Sequence, residues 1–219
     1  PEVRYPRHEV AVASGPDRSH PYVWSDLDEC IKCYRCVRAC DELQSEHILG
    51  IMGRGYDSRI IKGYDTDFIS SGCVSCGACV QTCPTNAITD RYGTRTLAAD
   101  RVVRTTCTYC GVGCNLDVSV AEGVVKGIQA PDDAEVNRGH TCVKGRFAFE
   151  FYRHPDRLSS PLIKRNGVFE EATWDEAYDY IASRLQDIKD KYGADAIAGI
   201  SSARCTNEEN YLMQKFMRA

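Results

Sequence analysis

No apolar run in this chain approaches the ~18 residues that a membrane span needs, so nothing in the sequence reads as a transmembrane segment. Basic charge is not in excess either. Lys and Arg number 27 against 31 Asp and Glu, interspersed, for a formal charge of −4. That excludes the basic stripe of a nucleic-acid-binding surface. No methionine stands at position 1, and no turn or breaker closes the C-terminal run to Ala219. The chain therefore reads as part of something longer. A missing secretory leader then weighs only lightly toward the cytoplasm, the expected location. What the sequence does have is an ordinary apolar content of 43% over 219 residues, room for two or three small domains, and 13 cysteines.

Twelve of the cysteines fall into three groups built on C-x2-C steps. A secreted disulfide framework would spread them through a shorter, loop-rich chain; ligation in a reducing compartment fits better. Cys30, Cys33, Cys36 and Cys40 form C-x2-C-x2-C-x3-C, and Cys73, Cys76, Cys79 and Cys83 repeat it with Pro84 trailing. Zinc sites use four ligands in two pairs. Three close cysteines and a fourth, twice over, suit two four-iron cubes. In this pattern the fourth cysteine serves the other cube. One set is then Cys30, Cys33, Cys36 and Cys83, and the other is Cys73, Cys76, Cys79 and Cys40. Gly72 and Gly77 lack Cβ atoms and would let backbone N–H groups approach the sulfurs.

The insert between the two motifs, residues 41–72, reads as a helix extension to Leu49, a break at Gly53 and Gly55, and strand-like pieces near Ile60 and Phe68. It would either pack onto its own module or contact a neighbouring domain. His8, His20, His47 and His154 read as exposed or hydrogen-bonded residues rather than ligands, because no cysteine follows closely enough to share a cluster with the first two. Residues 1–24 read as an extended arm and 93–103 as a linker.

The third group is Cys107, Cys110 and Cys114, then 27 residues, then Cys142. Leu116–Val120 and Val124–Ile128 flank Glu122-Gly123 and predict a hairpin that returns the chain to Cys142. This region, with its Val-Gly-Cys114 step and its Cys142-x-Lys144-Gly145 ending, resembles the N-terminal cluster domain of the molybdenum/tungsten bis-pyranopterin oxidoreductases. That family includes formate dehydrogenases and nitrate reductases. The resemblance implies a third [4Fe–4S] cluster on Cys107, Cys110, Cys114 and Cys142. It also places Lys144 between that cluster and a pterin, as the electron relay and a cofactor-binding residue; a surface lysine is the plain alternative. With the two-cluster module directly ahead, the chain is similar to the catalytic subunit of soluble, NAD-linked formate dehydrogenases. Cys36-Val-Arg-Ala-Cys40-Asp-Glu, Gly53-Arg-Gly55 and the Cys73–Gln81 phrase carry that closer likeness.

Beyond residue 150 the cysteine pattern gives way to α/β signals. Thr173–Glu176 and Thr206–Glu209 are capping boxes. Apolar residues from Trp174 to Tyr192 recur at helical spacing with one face to bury, and Gly193 can close that helix. Residues 196–200 predict a short strand, and 201–205 a loop at its carboxyl end, where ligands bind in such folds. The resemblance puts this loop beside the pterin dinucleotide, with Arg204 and Asn207 as the contacting side chains. Glu208 and Glu209 argue against phosphate capture by the helix end. Cys205 reads as a loop thiol rather than the metal ligand, which would lie beyond Ala219.

The expected architecture is α+β: a two-[4Fe–4S] ferredoxin-like domain over 25–92, a small β-rich [4Fe–4S] domain over 104–150, and the start of an α/β pterin-binding domain over 151–219. The resemblance implies three [4Fe–4S] clusters and a bis-molybdopterin guanine dinucleotide carrying molybdenum or tungsten. It implies formate oxidised to carbon dioxide, and a flavin/iron–sulfur partner subunit that reduces NAD. The rivals are a cluster-bearing subunit of an NADH:quinone oxidoreductase-like complex, which need not keep both ferredoxin motifs, and another molybdopterin oxidoreductase such as a nitrate reductase.

Overall fold

A computed structural model describes residues 15–94 and 98–219. His8 and most of the expected N-terminal arm fall outside the described residues. The chain forms two compact units. One runs to Thr108 and resumes over Val112–Phe149; the other comprises Tyr109–Gly111 and Glu150–Ala219.

The first unit is built on the repeated cysteine motif. Each copy turns through two left-handed residues, Lys32 and Tyr34 in one and Ser75 and Gly77 in the other, at φ between 58° and 72°. A short helix follows each turn: α1 (Arg35–Arg38), continuing as a π-helical turn over Ala39–Leu43, and α2 (Ala78–Thr82). Helices of one turn are not stable alone; these rest on packing. Strand β1 (Val23–Ser25) pairs antiparallel with β4 (Ile88–Asp90) and closes the two halves together. The core between them holds Val23, Phe68 and Val80, each at most 2% exposed, with Cys36, Cys40, Cys79 and Cys83 among them.

The insert packs onto this core. Strands β2 (Leu49–Met52) and β3 (Arg59–Lys62) form a hairpin that buries Leu49 and Ile60. The helix extension expected to reach Leu49 stops at Leu43 instead. Ser45 and His47 take left-handed backbone, and the Glu46 N–H turns back to Cys40 O at 2.9 Å. Phe68 is buried but lies in a helical turn, not a strand.

An ion pair fastens the chain ahead of β1 to the insert. Lys62 Nζ donates to Asp17 Oδ2 at 2.6 Å, the two side chains being 11% and 13% exposed. Burial works to raise the Asp17 pKa, but Lys62, Ser19 and the Phe68 N–H outweigh it and hold the carboxyl far below its ordinary value. A depressed carboxylate stabilises the fold above its unfolded pKa of ~3.9 and stops doing so as pH falls through the native value. Asp17→Asn strands a buried ammonium, so the expected loss is about 3 kcal/mol at neutral pH. Denaturant titration checks it; the difference from wild type should shrink below about pH 4.

The same unit continues as a three-stranded antiparallel sheet in the order β5 (Arg101–Thr106), β6 (Asn115–Ala121), β7 (Val124–Gln129). The predicted hairpin is β6–β7, turning on Glu122 and Gly123 at φ 53° and 73°. That is the double left-handed turn that suits strand twist. Strand β5 lies where the sequence suggested only a connector. Helix α3 (Val143–Phe147) starts directly at Cys142.

In the second unit, β8 (Leu162–Arg165) and β9 (Val168–Glu171) form a hairpin on Asn166-Gly167. Both capping boxes form, at the starts of α4 (Trp174–Tyr192) and α5 (Asn207–Arg218). The strand expected over 196–200 does not form. Ala194–Ala196 make a 3-10 turn, and the residues after it have no hydrogen-bonded neighbour strand among those described. The apolar stripe of α4 has the predicted period, yet only Ala177 on it is buried. No helix among the described residues is long and apolar enough to cross a membrane.

Candidate iron–sulfur sites

The fold gathers eight cysteines into two rings, and each ring crosses the sequence repeat. Cys30, Cys33, Cys36 and Cys83 line one pocket of about 330 Å³, with Ile60 and Ile88 behind them. Cys40, Cys73, Cys76 and Cys79 line another of about 340 Å³. α1 delivers Cys36 to the first pocket, and its π-helical continuation delivers Cys40 to the second. Cys83, at the end of α2, returns to the first. Among the described residues no disulfide forms, and no three His, Cys, Asp or Glu side chains converge closely enough to hold a single metal ion.

The donor chemistry fits a polynuclear cationic group. Burial comes first in pushing the Cys36 thiol up to about 12, and the neighbouring Cys30 and Cys83 add to it. Burial likewise raises Cys73, Cys76 and, most of all, Cys79, with the other thiols of the same ring as further causes. Thiolates at the buried Cys36 and Cys79 are tenable only beside positive charge, which iron would supply. Backbone donors are already aimed at the sulfurs. Lys32 N–H reaches Cys30 Sγ, Ser75 N–H reaches Cys73 Sγ and Ile88 N–H reaches Cys83 Sγ, each at 3.4 Å. The left-handed turns bring the first two there.

The two rings are neighbours, since Cys36 is among the charges that weigh on Cys79. The first opens to solvent at Cys33, which is exposed, whereas no cysteine of the second is. Cys76 also borders a larger concavity, of about 950 Å³, whose wall carries Cys114 and Cys142. Cys107 is buried, and its N–H donates to Cys114 O at 2.8 Å. A Cβ on Gly145 of α3 would stand 3.6 Å from Cys107 Sγ, an ordinary contact, but would collide with Thr141 Oγ1. So Cys107, Cys114 and Cys142 are grouped in the first unit. Lys144 is solvent-exposed on α3.

Cys110 belongs to the second unit, in the segment Tyr109–Gly111. There the Gly111 N–H donates to Ala203 O at 3.4 Å, and a Cβ on Gly111 would stand 3.4 Å from Cys205 O. The expected pterin loop therefore packs directly against the residue after Cys110. Arg204 and Asn207 are both exposed on that loop and the first turn of α5. Asn210, which the sequence did not single out, organises it by donating to Ser202 O at 3.3 Å and Thr206 O at 3.1 Å. Glu209 Oε2 accepts from Thr206 N at 2.7 Å, so the helix end is satisfied internally, as its acidic first turn suggested.

Of the two states expected for His20, exposed or hydrogen-bonded, the second holds, and the ring is buried at 4% exposure. Its Nδ1 accepts from the N–H groups of Tyr22 and Val23, both at 3.1 Å, and Nε2 faces Ser75 Oγ at 3.2 Å. It braces the second cysteine loop. His47 is exposed and pairs with Asp41, and exposed His154 accepts from the Asp156 N–H.

Comparison with known proteins matches three successive stretches of the chain. Residues 29–87 match the 4Fe-4S dicluster domain family, 100–154 the molybdopterin oxidoreductase Fe4S4 domain and 157–219 the molybdopterin oxidoreductase family. The chain is related to the iron–sulfur molybdopterin oxidoreductases, formate dehydrogenase-like proteins among them. A probable oxidoreductase of Bacillus subtilis, YjgC, is 35% identical over 92% of this chain and 25% of its own length. A putative formate dehydrogenase of Staphylococcus haemolyticus is 36% identical over 90% of this chain and 24% of its own. The chain thus spans about a quarter of the curated relatives it matches. A chain of an NAD+-reducing [NiFe]-hydrogenase is similar over 40% of this chain and 35% of that one, at 28% identity and a TM-score of 0.32.

Proposed function

We propose that this chain is the electron-relay and cofactor-adjacent part of a formate dehydrogenase catalytic subunit. The observation that carries the relay is the succession of thiols: Cys114 and Cys142 share a wall with Cys76, Cys79 neighbours Cys36, and Cys33 is exposed. Cys107, Cys110, Cys114 and Cys142 would hold a cube on the pterin side. Cys40, Cys73, Cys76 and Cys79 would hold the middle cube. Cys30, Cys33, Cys36 and Cys83 would hold the outer one, next to a flavin/iron–sulfur subunit that reduces NAD.

A pterin-bound molybdenum or tungsten, when present, supplies the oxidation of formate to carbon dioxide, which releases a proton and two electrons. The chain's own residues do the rest. With the cofactors bound, Arg204 and Asn207 would contact the dinucleotide from the loop that packs on Gly111, Lys144 would relay electrons between pterin and cluster, and the buried Cys36, Cys40, Cys79 and Cys83 would shield their clusters from water. The 35–36% identity to proteins that include putative formate dehydrogenases supports the substrate. Cytoplasmic location is part of the same proposal.

Anaerobic full-length protein mixed with formate tests this. Its visible cluster absorption should bleach within the mixing experiment, and dithionite should add little further. Bleaching by dithionite or NADH but not by formate would remove the substrate assignment and favour a pure electron-transfer subunit.

A further inference from the structure

The two cysteine loops have the same backbone but not the same residues. Tyr34 sits at φ 59°, ψ 10° where the second loop has Gly77 at φ 72°, ψ 10°. The conformation alone therefore does not demand glycine at 77. Space does: a Cβ on Gly77 would collide with Arg146 Cδ and stand 2.6 Å from Arg146 Nε and 3.2 Å from the Phe147 ring. At Gly77 the missing Cβ makes room for a guanidinium as well.

Arg146 is 3% exposed. Its Nε donates to Cys76 O and its Nη2 to Gln81 Oε1, both at 3.0 Å. Gln81 in turn donates to Ala130 O at 2.7 Å and Asp132 Oδ1 at 3.0 Å. Arg146 thus welds α3, which begins at Cys142, to the loop and helix that carry Cys76 and Cys79. A buried cation is costly unless it faces negative charge. Burial pulls the Arg146 pKa down, while Cys76, Cys79 and Asp90 push it back up; a guanidinium stays charged in proteins. Asp90 is engaged elsewhere as well, accepting from Tyr92 N at 2.9 Å and from Thr94 N and Oγ1, each at 3.1 Å. With a cluster bound, the thiolates of Cys76 and Cys79 would be the remaining counter-charge.

We propose that Arg146 is a positioning residue that tunes the iron–sulfur site of Cys40, Cys73, Cys76 and Cys79, fixing its Cys76–Gly77 loop and raising its reduction potential by a buried positive charge. The proposal rests on the cluster reading above. Taking up one electron adds one negative charge to that site, and a fixed cation beside it favours the reduced form. The middle site then becomes easier to reduce than its ligand set alone would make it.

The test is an EPR-monitored redox titration of the full-length, cluster-loaded protein, with dithionite as reductant and iron counted in each sample. Arg146→Met should move one midpoint to more negative potential and leave the others in place. Arg146→Lys, which keeps the charge, should stay near wild type. Asp90→Asn removes a charge of opposite sign and should move the same midpoint positive. Unchanged midpoints in Arg146→Met at full iron content would overturn the proposal, as would equal shifts in the Met and Lys variants or a uniform shift of all sites. If Arg146→Met loses its iron, Asp90→Asn decides: a positive shift of one midpoint supports the proposal and no shift overturns it. Failure of the cluster reading is a different result, wild-type protein without cube signals.

Discussion

Cys40→Ser will produce the same spectroscopic loss as Cys79→Ser, and Cys83→Ser the same loss as Cys36→Ser. Cys40 follows Cys36 in the chain, and Cys83 follows Cys79, but the two-motif pattern already assigns each fourth cysteine to the other cube. The pockets group them the same way. Cys40 stands with Cys73, Cys76 and Cys79, and Cys83 with Cys30, Cys33 and Cys36. Each variant removes one of the four thiols of its ring. The expected outcome is loss of a whole cube, about four irons per chain. Iron analysis with EPR of the reduced proteins reads both the size and the identity of the loss. Cys40→Ser behaving like Cys36→Ser would reject the crossed assignment.

Lys144→Ala in the full-length protein is expected to keep its iron and to lose formate-driven reduction of the clusters by about 100-fold or more, the scale on which displacing a reacting group by ~1 Å slows a reaction. Lys144 is exposed on α3, so truncating it removes no core contact and should leave stability within about 0.5 kcal/mol of wild type. A purely superficial lysine would show no loss of formate-driven reduction. Stopped-flow bleaching with formate, against dithionite as the direct reductant, separates a broken relay from a damaged cluster. Undiminished reduction by formate would remove the relay role.

The cysteine rings were legible because ligand spacing is a local signal, and the helix that follows each motif carries its last cysteine to the other ring. The β6–β7 hairpin and both capping boxes were legible for the same reason. Strand β5 was not: Arg101 to Thr106 is exposed along its whole length, so no alternation marks it. Strands β8 and β9 carry a signal of their own in Asn166-Gly167 between β-prone runs. Residues 196–200 failed as a strand because an apolar run needs a hydrogen-bonding neighbour, and none stands beside it among the described residues. Burial of the α4 stripe could not be judged either, because a period names a face without naming what covers it. Arg146 and His20 were beyond reach on other grounds. Their partners Cys76 and Ser75 lie 70 and 55 residues away, so only the folded chain brings them together.

Iron and acid-labile sulfide counted per full-length chain, in anaerobically purified protein, test most directly the claim that these twelve cysteines hold three cubes in series. The account predicts no fewer than about 12 of each. A count of about eight or four, with the protein folded and the thiols reduced, would contradict it.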